Sequence, residues 1–456
     1  MKKKLLWLLP LAITPAFQVG ASAIVDQKNK EIIETQKLYD AINYSKIENA
    51  HKDLKANKIA LLVNENEFPR SASKEDSLSI VLYTEAISKI SKETQIEIFY
   101  FKNKDEFIES IKKISELGVK GVLNLFSNFE KISDGDHDEM LQLLENGSLI
   151  KGWINFFAAS TDIKPLLNKL TNYVLVGSIG TWDKGFSVLK QGEISQKDLY
   201  DNSTKSTKQS VDLVVSSKGI TNTKNETTEN SFLSASIVIA TFSKLLINDA
   251  QDKTNNKILK AINSILNSAK EVEQYWEKSF NNMTLGVGAG ILDYKAAWDS
   301  YFSKKSENIL LTYEETKNRY EKEIDLKEGE ELNASLFWMM ELIDPEKYKY
   351  HEFFQKISPA FLVLGWTGAV VFPLVYWGVE QQLEIFKSFS NYDIELQILD
   401  GTWQTVQKSN SILSTFEKVS YKATRDTKFK IIVSGLNNSK LKNWSPYLNV
   451  YKKIAF

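Results

Sequence analysis

The sequence predicts an α/β domain, a mostly parallel sheet with helices on both faces, followed by an all-β sandwich. Three observations carry this expectation. Short continuous apolar runs alternate with helically spaced segments from Lys58 to about residue 300, the pattern of strands buried on both faces and joined by crossover helices. From about residue 305 the pattern changes to short alternating strands separated by turn residues, as in a sandwich. The composition, 43% hydrophobic and 25% charged, suits a chain able to bury a large core.

The elements follow in order. Lys2, Lys3 and Lys4 precede an apolar run from Leu5 to Phe17, and Ala21-Ser22-Ala23 offers a small-residue cleavage site, so residues 1–23 are expected to be a signal peptide and the chain to be exported, secreted or anchored at the cell surface. Left uncut, the run is long enough to hold the chain in a bilayer. Residues 24–57 read as a polar helical lead-in. Strands are expected at Lys58–Val63, Ile96–Phe101, Val119–Leu125, Trp153–Ala159 and Tyr173–Ser178, with helices at 74–90, 105–117 and 137–146 between them. Residues 190–230 read as loop around one short strand, Val211–Val215. A buried helix over Ser234–Ile247 and a second over about 255–278 lead to the end of the first domain, 58–303.

The second domain, 304–456, carries strands at Ile324–Leu326, Leu332–Trp338, Tyr392–Leu399, Phe416–Ala423 and Phe429–Val433. Turns between them fall at Lys327-Glu328-Gly329-Glu330, Asp400-Gly401 and Arg425-Asp426-Thr427. One stretch stands apart. Residues 357–379 hold no charge and include Phe361, Trp366, Phe372, Tyr376 and Trp377. The length would cross a bilayer, but Gly365, Gly368, Pro373 and Gly378 interrupt it, and a span would put strands of one sandwich on opposite sides of a membrane. An apolar insertion is therefore expected, with a membrane contact, here or through the N-terminal segment, left open.

Composition excludes several function classes. Lys plus Arg is 57 against 58 Asp plus Glu, which leaves no basic footprint for nucleic acid. The absence of cysteine removes thiol catalysis and thiolate metal sites. Any imidazole chemistry must use His51, His137 or His351, the three histidines of the chain. His51 and His351 lack ligand spacing. Asp134, Asp136 and Asp138, with Gly135 and His137 among them, are weak candidates for a Ca²⁺ site, because the twelve-residue loop pattern is absent; a solvated loop or helix N-terminus is the plainer reading. No cofactor is implied.

Taken in order, several segments resemble the subtilase family of serine peptidases. Gly286-Val287-Gly288-Ala289-Gly290-Ile291-Leu292-Asp293, followed by Ala296 and Ala297, is similar to the segment that closes the family's catalytic domain. Gly118-Val119-Lys120-Gly121-Val122-Leu123-Asn124-Leu125-Phe126-Ser127, Val174-Leu175-Val176-Gly177-Ser178-Ile179 and Val211-Asp212-Leu213-Val214 resemble its strands. Many subtilases also carry a C-terminal β-sandwich. The resemblance covers most of residues 55–300 and implies a subtilisin-like fold.

It also implies where a serine peptidase would hold its nucleophile, base, orienting carboxylate and oxyanion donor. The carboxylate position falls on Val63, or on Asn64 with a one-residue shift; Glu65 follows as a loop residue. The base position falls on Ser73 or Asp76, and no histidine lies between Asn64 and Ile96. The nucleophile position falls on Phe232 in the gapless register and on Ser231 in a shifted one. The oxyanion asparagine is replaced by Thr161, whose hydroxyl is short for the task. Loss of one triad serine or histidine costs about a millionfold in turnover. The resemblance therefore implies a pseudopeptidase with a protein- or peptide-binding or scaffold role. An active endopeptidase using Ser231 with His137, and a structural subunit of a surface complex, are the alternatives.

Overall fold

The computed structural model describes residues 38–40, 42–44, 57–68, 77–126, 138–159, 170, 172–182, 185–188, 211–216, 231–249, 256–271, 288–339, 390–410, 415–435 and 445–454. The first part is a seven-stranded sheet of β1 (Lys58–Asn64), β2 (Gln95–Phe101), β3 (Gly121–Leu125), β4 (Ile154–Ala158), β5 (Tyr173–Trp182), β6 (Gly185–Val188) and β7 (Leu213–Ser216). Its order is β2-β1-β3-β4-β5-β6, with β7 also on β5. The pairings are parallel apart from the β5–β6 hairpin.

Helices cover both faces, because alternate side chains of each strand point to opposite sides. Ile59, Leu61 and Val63 of β1 face a core shared with α1 (Ser77–Ile90), α4 (Ser231–Asn248) and α5 (Asn256–Ser268). Ala60 and Leu62 face a second core with α2 (Lys104–Leu117) and α3 (Asp138–Asn146). Helix α4 is apolar and long enough to cross a membrane, yet it is almost wholly buried inside the molecule; it is the central helix of the fold.

After α6 (Tyr294–Phe302) the chain forms β8 (Ser306–Leu310), α7 (Tyr313–Lys317) and β9 (Tyr320–Leu326), β10 (Glu330–Phe337), β11 (Tyr392–Asp400), β12 (Thr402–Ser409), β13 (Phe416–Lys422), β14 (Thr427–Gly435) and β15 (Tyr447–Ile454). These strands make two antiparallel four-stranded sheets, β13-β10-β15-β8 and β12-β11-β14-β9. A core that includes Leu332, Leu336, Ile394, Phe429 and Leu448 lies between them. An α/β domain followed by a β-sandwich is thus the observed architecture. The first sheet lays its other face on α5, with Phe337, Phe416 and Tyr447 joining the core of the α/β part.

Three details differ from the sequence reading. Helix α4 begins at Ser231, three residues before the expected start, so Ser231 and Phe232 lie within its first turn. Helix α5 ends at Ser268, ten residues short of expectation, because Lys270 is drawn into reciprocal backbone hydrogen bonds with Ile291. Strands β6, β8, β12 and β15 have no counterpart in the sequence reading. The residues of β12 are mostly exposed, so no apolar alternation marks it.

Candidate functional site

The C-terminal ends of the parallel strands, together with the start of α4, form the region where the sequence places its candidates. β1 ends in Val63 and Asn64, both fully buried and on opposite faces. Val63 belongs to the core shared with α1 and α4. Asn64 is used up by its own turn: its Oδ1 accepts from the Asn66 N–H at 3.0 Å and its Nδ2 donates to Glu67 Oε1 at 3.0 Å. Its carbonyl accepts from the N–H of Glu67 and of Phe68. The face of β1 turned towards α4 therefore ends in an aliphatic side chain.

That turn delivers Phe68 to the start of α4. The Phe68 and Phe232 rings meet edge-on, with centroids 5.4 Å apart and planes at 87°. Tyr83 of α1 completes the group, 6.2 Å from Phe68 and 6.2 Å from Phe232. These are the geometries that aromatic quadrupoles favour, and each pair adds about 0.5–1.5 kcal/mol beyond its buried area. Ser231 is buried at the head of the helix, and the Phe232 carbonyl accepts from Ser236 Oγ at 2.8 Å. An aromatic cluster thus joins the end of β1, α1 and α4. It offers apolar packing. The sequence reading does not single out Phe68 or Tyr83, although an aromatic four residues beyond the end of a buried strand is a readable signal.

Glu65 turns the other way. It pairs with Lys102 at 3.5 Å and borders a polar cavity of about 330 Å³ with Tyr100, Glu106, Glu109, Ser110 and Lys113. Lys113 and Glu109 close on each other at 2.6 Å, so the charges of this hollow are largely satisfied among themselves. Ala158 and Ala159 are buried at the end of β4, and the Ala159 N–H donates to the Val176 carbonyl. Ser73, Asp76, Thr161, Asp134, Asp136, His137, His51, His351 and the segment 357–379 lie outside the described residues, as does the side chain of Asp138. Among the described residues no three His, Asp or Glu side chains come together as a metal site.

A half-buried carboxylate sits beside the closing segment. The Asp212 carboxylate accepts from the Leu175 N–H at 2.7 Å. Burial pushes its pKa up to about 7, against the pull of that hydrogen bond. Its carbonyl accepts from Ala289. The crossing is so close that a Cβ on Gly288, at φ 62°, would lie 2.2 Å from the Val211 carbonyl oxygen, a conformation and an approach that suit glycine alone. Gly290 is pressed as closely on the Lys270 carbonyl.

No family model and no curated protein matches the chain. Solved structures do. The prenylagaramide maturation protease PagA is 14% identical over 58% of this chain and 97% of its own, with a TM-score of 0.35. A mutant of the protease domain of PatA is 13% identical over 54% of this chain and 97% of its own, with a TM-score of 0.36. MycP1 from Mycobacterium smegmatis is 12% identical over 59% of this chain and 86% of its own, with a TM-score of 0.32.

Proposed function

We propose that the chain is an exported pseudopeptidase of subtilisin-like descent that binds an extended protein or peptide segment instead of cutting it. The observation that carries this reading is the aromatic cluster. In the gapless register Phe232 stands where the nucleophile would be, and it packs with Phe68 and Tyr83 on the side of β1 that ends in Val63. A triad needs polar side chains hydrogen-bonded to one another at that place. Binding of an extended chain by strand addition needs only backbone groups and shaped apolar contacts, and the partly exposed Phe68 and Phe232 offer the latter. The N-terminal Lys-rich and apolar run supports export.

A scaffold role in a surface complex, with membrane contact through the N-terminal segment or through 357–379, draws support from a different observation. Trp338 Nε1 donates to the Ser390 carbonyl at 3.2 Å, so the residues that flank 340–389 meet at one corner of the sandwich.

The test is reaction of the mature chain with a fluorescent fluorophosphonate, beside a Ser231→Ala variant. The expected result is no labelling of either. Labelling of the parent that disappears in the variant would establish Ser231 as an activated nucleophile and replace the pseudopeptidase reading by the active one.

A further inference from the structure

The sheet edges of this molecule are finished in different ways. An edge strand presents a row of N–H and C=O groups that can pair with another chain, and folded proteins commonly cover or interrupt it. β7 is covered, since Val214 donates to the Gly290 carbonyl and accepts from the Leu292 N–H. On one side of the sandwich the N–H groups of Lys418 and Ser420 donate to Ser409 Oγ and Gln407 Oε1, from β13 to β12. On its other side Lys322 of β9 reaches Glu307 of β8 at 2.7 Å. β2 has no such finish among the described residues. It ends the sheet order, pairs with β1 alone, and is half-exposed from Gln95 to Tyr100.

Hydrogen-bond parity identifies the groups that face outwards. Gln95 donates to the Asn57 carbonyl, and the Phe101 carbonyl accepts from Glu65. Alternate residues of a strand serve one neighbour, so Gln95, Glu97, Phe99 and Phe101 serve β1. Ile96 and Ile98 aim their N–H and C=O at the open side. The strand is also complementary to itself. Antiparallel pairing about a two-fold axis through Ile98 sets Ile98 opposite the partner's Ile98, in a hydrogen-bonded pair, and Ile96 opposite the partner's Tyr100. The second is an aromatic to β-branched pair of the kind that stabilises sheets. An interface that uses one patch on both subunits is what a two-fold dimer requires.

We infer that the β2 edge is the contact surface for a second copy of this chain, which joins two parallel sheets into one through antiparallel β2–β2 pairing. The occupant is distinct from the peptide proposed for the aromatic cluster, and the two readings stand or fall separately. The seven residues of β2 make a small interface, so association depends on concentration.

The experiment is light-scattering mass across a concentration series, combined with residue-resolved amide exchange, on the parent and on Ile98→Pro. Proline at 98 removes an outward N–H and leaves the bonds to β1 in place. The parent is expected to pass from monomer to dimer, with the Ile96 and Ile98 amides slowing as the dimer forms while Glu97 and Phe99 are slow throughout. Ile98→Pro should weaken the dimer about tenfold or more, from the loss of two reciprocal hydrogen bonds. The inference is overturned by a parent that is monomeric at every concentration, or by a dimer unaffected by the proline. It is equally overturned by Ile96 and Ile98 amides already slow in the monomer, and that result needs no variant.

Discussion

The start of α4 and the face of α5 against the sandwich make opposite use of polar side chains. At the start of α4, where the sequence resemblance sets the nucleophile position, aromatic rings fill the space. On α5, deep between two domains, polar groups are kept. Asn263 Nδ2 donates to the Ser335 carbonyl at 3.1 Å and the Tyr447 carbonyl at 2.7 Å, and its Oδ1 accepts from Ser335 Oγ at 2.6 Å. One turn on, Asn267 donates to the Asn333 carbonyl and to Asn449 Oδ1. Asn449 in turn donates to Asn308 Oδ1 at 2.7 Å and the Ser300 carbonyl at 3.2 Å. Asn263 is engaged at both its Nδ2 and its Oδ1, whereas the buried Oδ1 of Asn267 has no partner; a buried amide engaged as Asn263 is becomes costly to remove. The difference teaches that the polar contacts of this fold are spent at the interdomain amides, while the start of α4 is held by aromatic packing.

The largest effect should therefore come from Asn263→Ala. It strips partners from Ser335 and Tyr447 and leaves a small void, at a cost of about 3 kcal/mol. Urea unfolding followed by tryptophan fluorescence should show a lower midpoint. Trp153 reports on the α/β part and Trp338 on the sandwich, and both are buried. A loss below about 0.5 kcal/mol, within the range of ordinary surface substitutions, would contradict the assignment of the amides as what joins the domains.

Phe232→Ala sharpens the comparison from the other end. The ring is half-buried, so the expected cost is about 2 kcal/mol, below the usual range for a fully buried phenylalanine. Phe232→Leu should recover most of it by refilling the space. Phe232→Ser should restore no hydrolysis, because the described surroundings of that position supply no base. A hydrolytic Phe232→Ser would show that a proton acceptor lies within reach after all, and the contrast between the two regions would collapse.

Much of this is legible in the sequence, for physical reasons that differ by element. β1, β3 and β4 are buried on both faces, and their apolar runs announce them. β12 is mostly exposed and announces nothing. The period of two along β1 already assigns Val63 and Asn64 to opposite faces, yet which face meets α4 is a tertiary fact. The aromatic cluster joins three segments far apart in sequence, so Phe68 and Tyr83 can be recognised as partners of Phe232 only in the fold. Asn263 and Asn267, by contrast, stand four apart on a helix otherwise lined by Ile258, Ile262, Ile265 and Leu266. That spacing is a readable sign of a polar strip within an apolar face.

Asp212 gives the smallest effect and the one with a sign to work out. Burial raises its pKa to about 7 in the folded chain, against about 3.9 when unfolded. The folded state therefore holds the proton more tightly. Its contribution to stability is complete below about pH 4, falls as the pH climbs through the window to about 7, and is absent above it. Asp212→Asn keeps an acceptor for the Leu175 N–H and removes the titration. The variant should match the parent near pH 4 and exceed it near pH 8, by about 1 kcal/mol once the partial exposure of the side chain is allowed for. Thermal melts at the two pH values read this directly. Equal gains at both would mean that the carboxylate is solvated in the folded chain, and that the close crossing by Gly288 does not shield it.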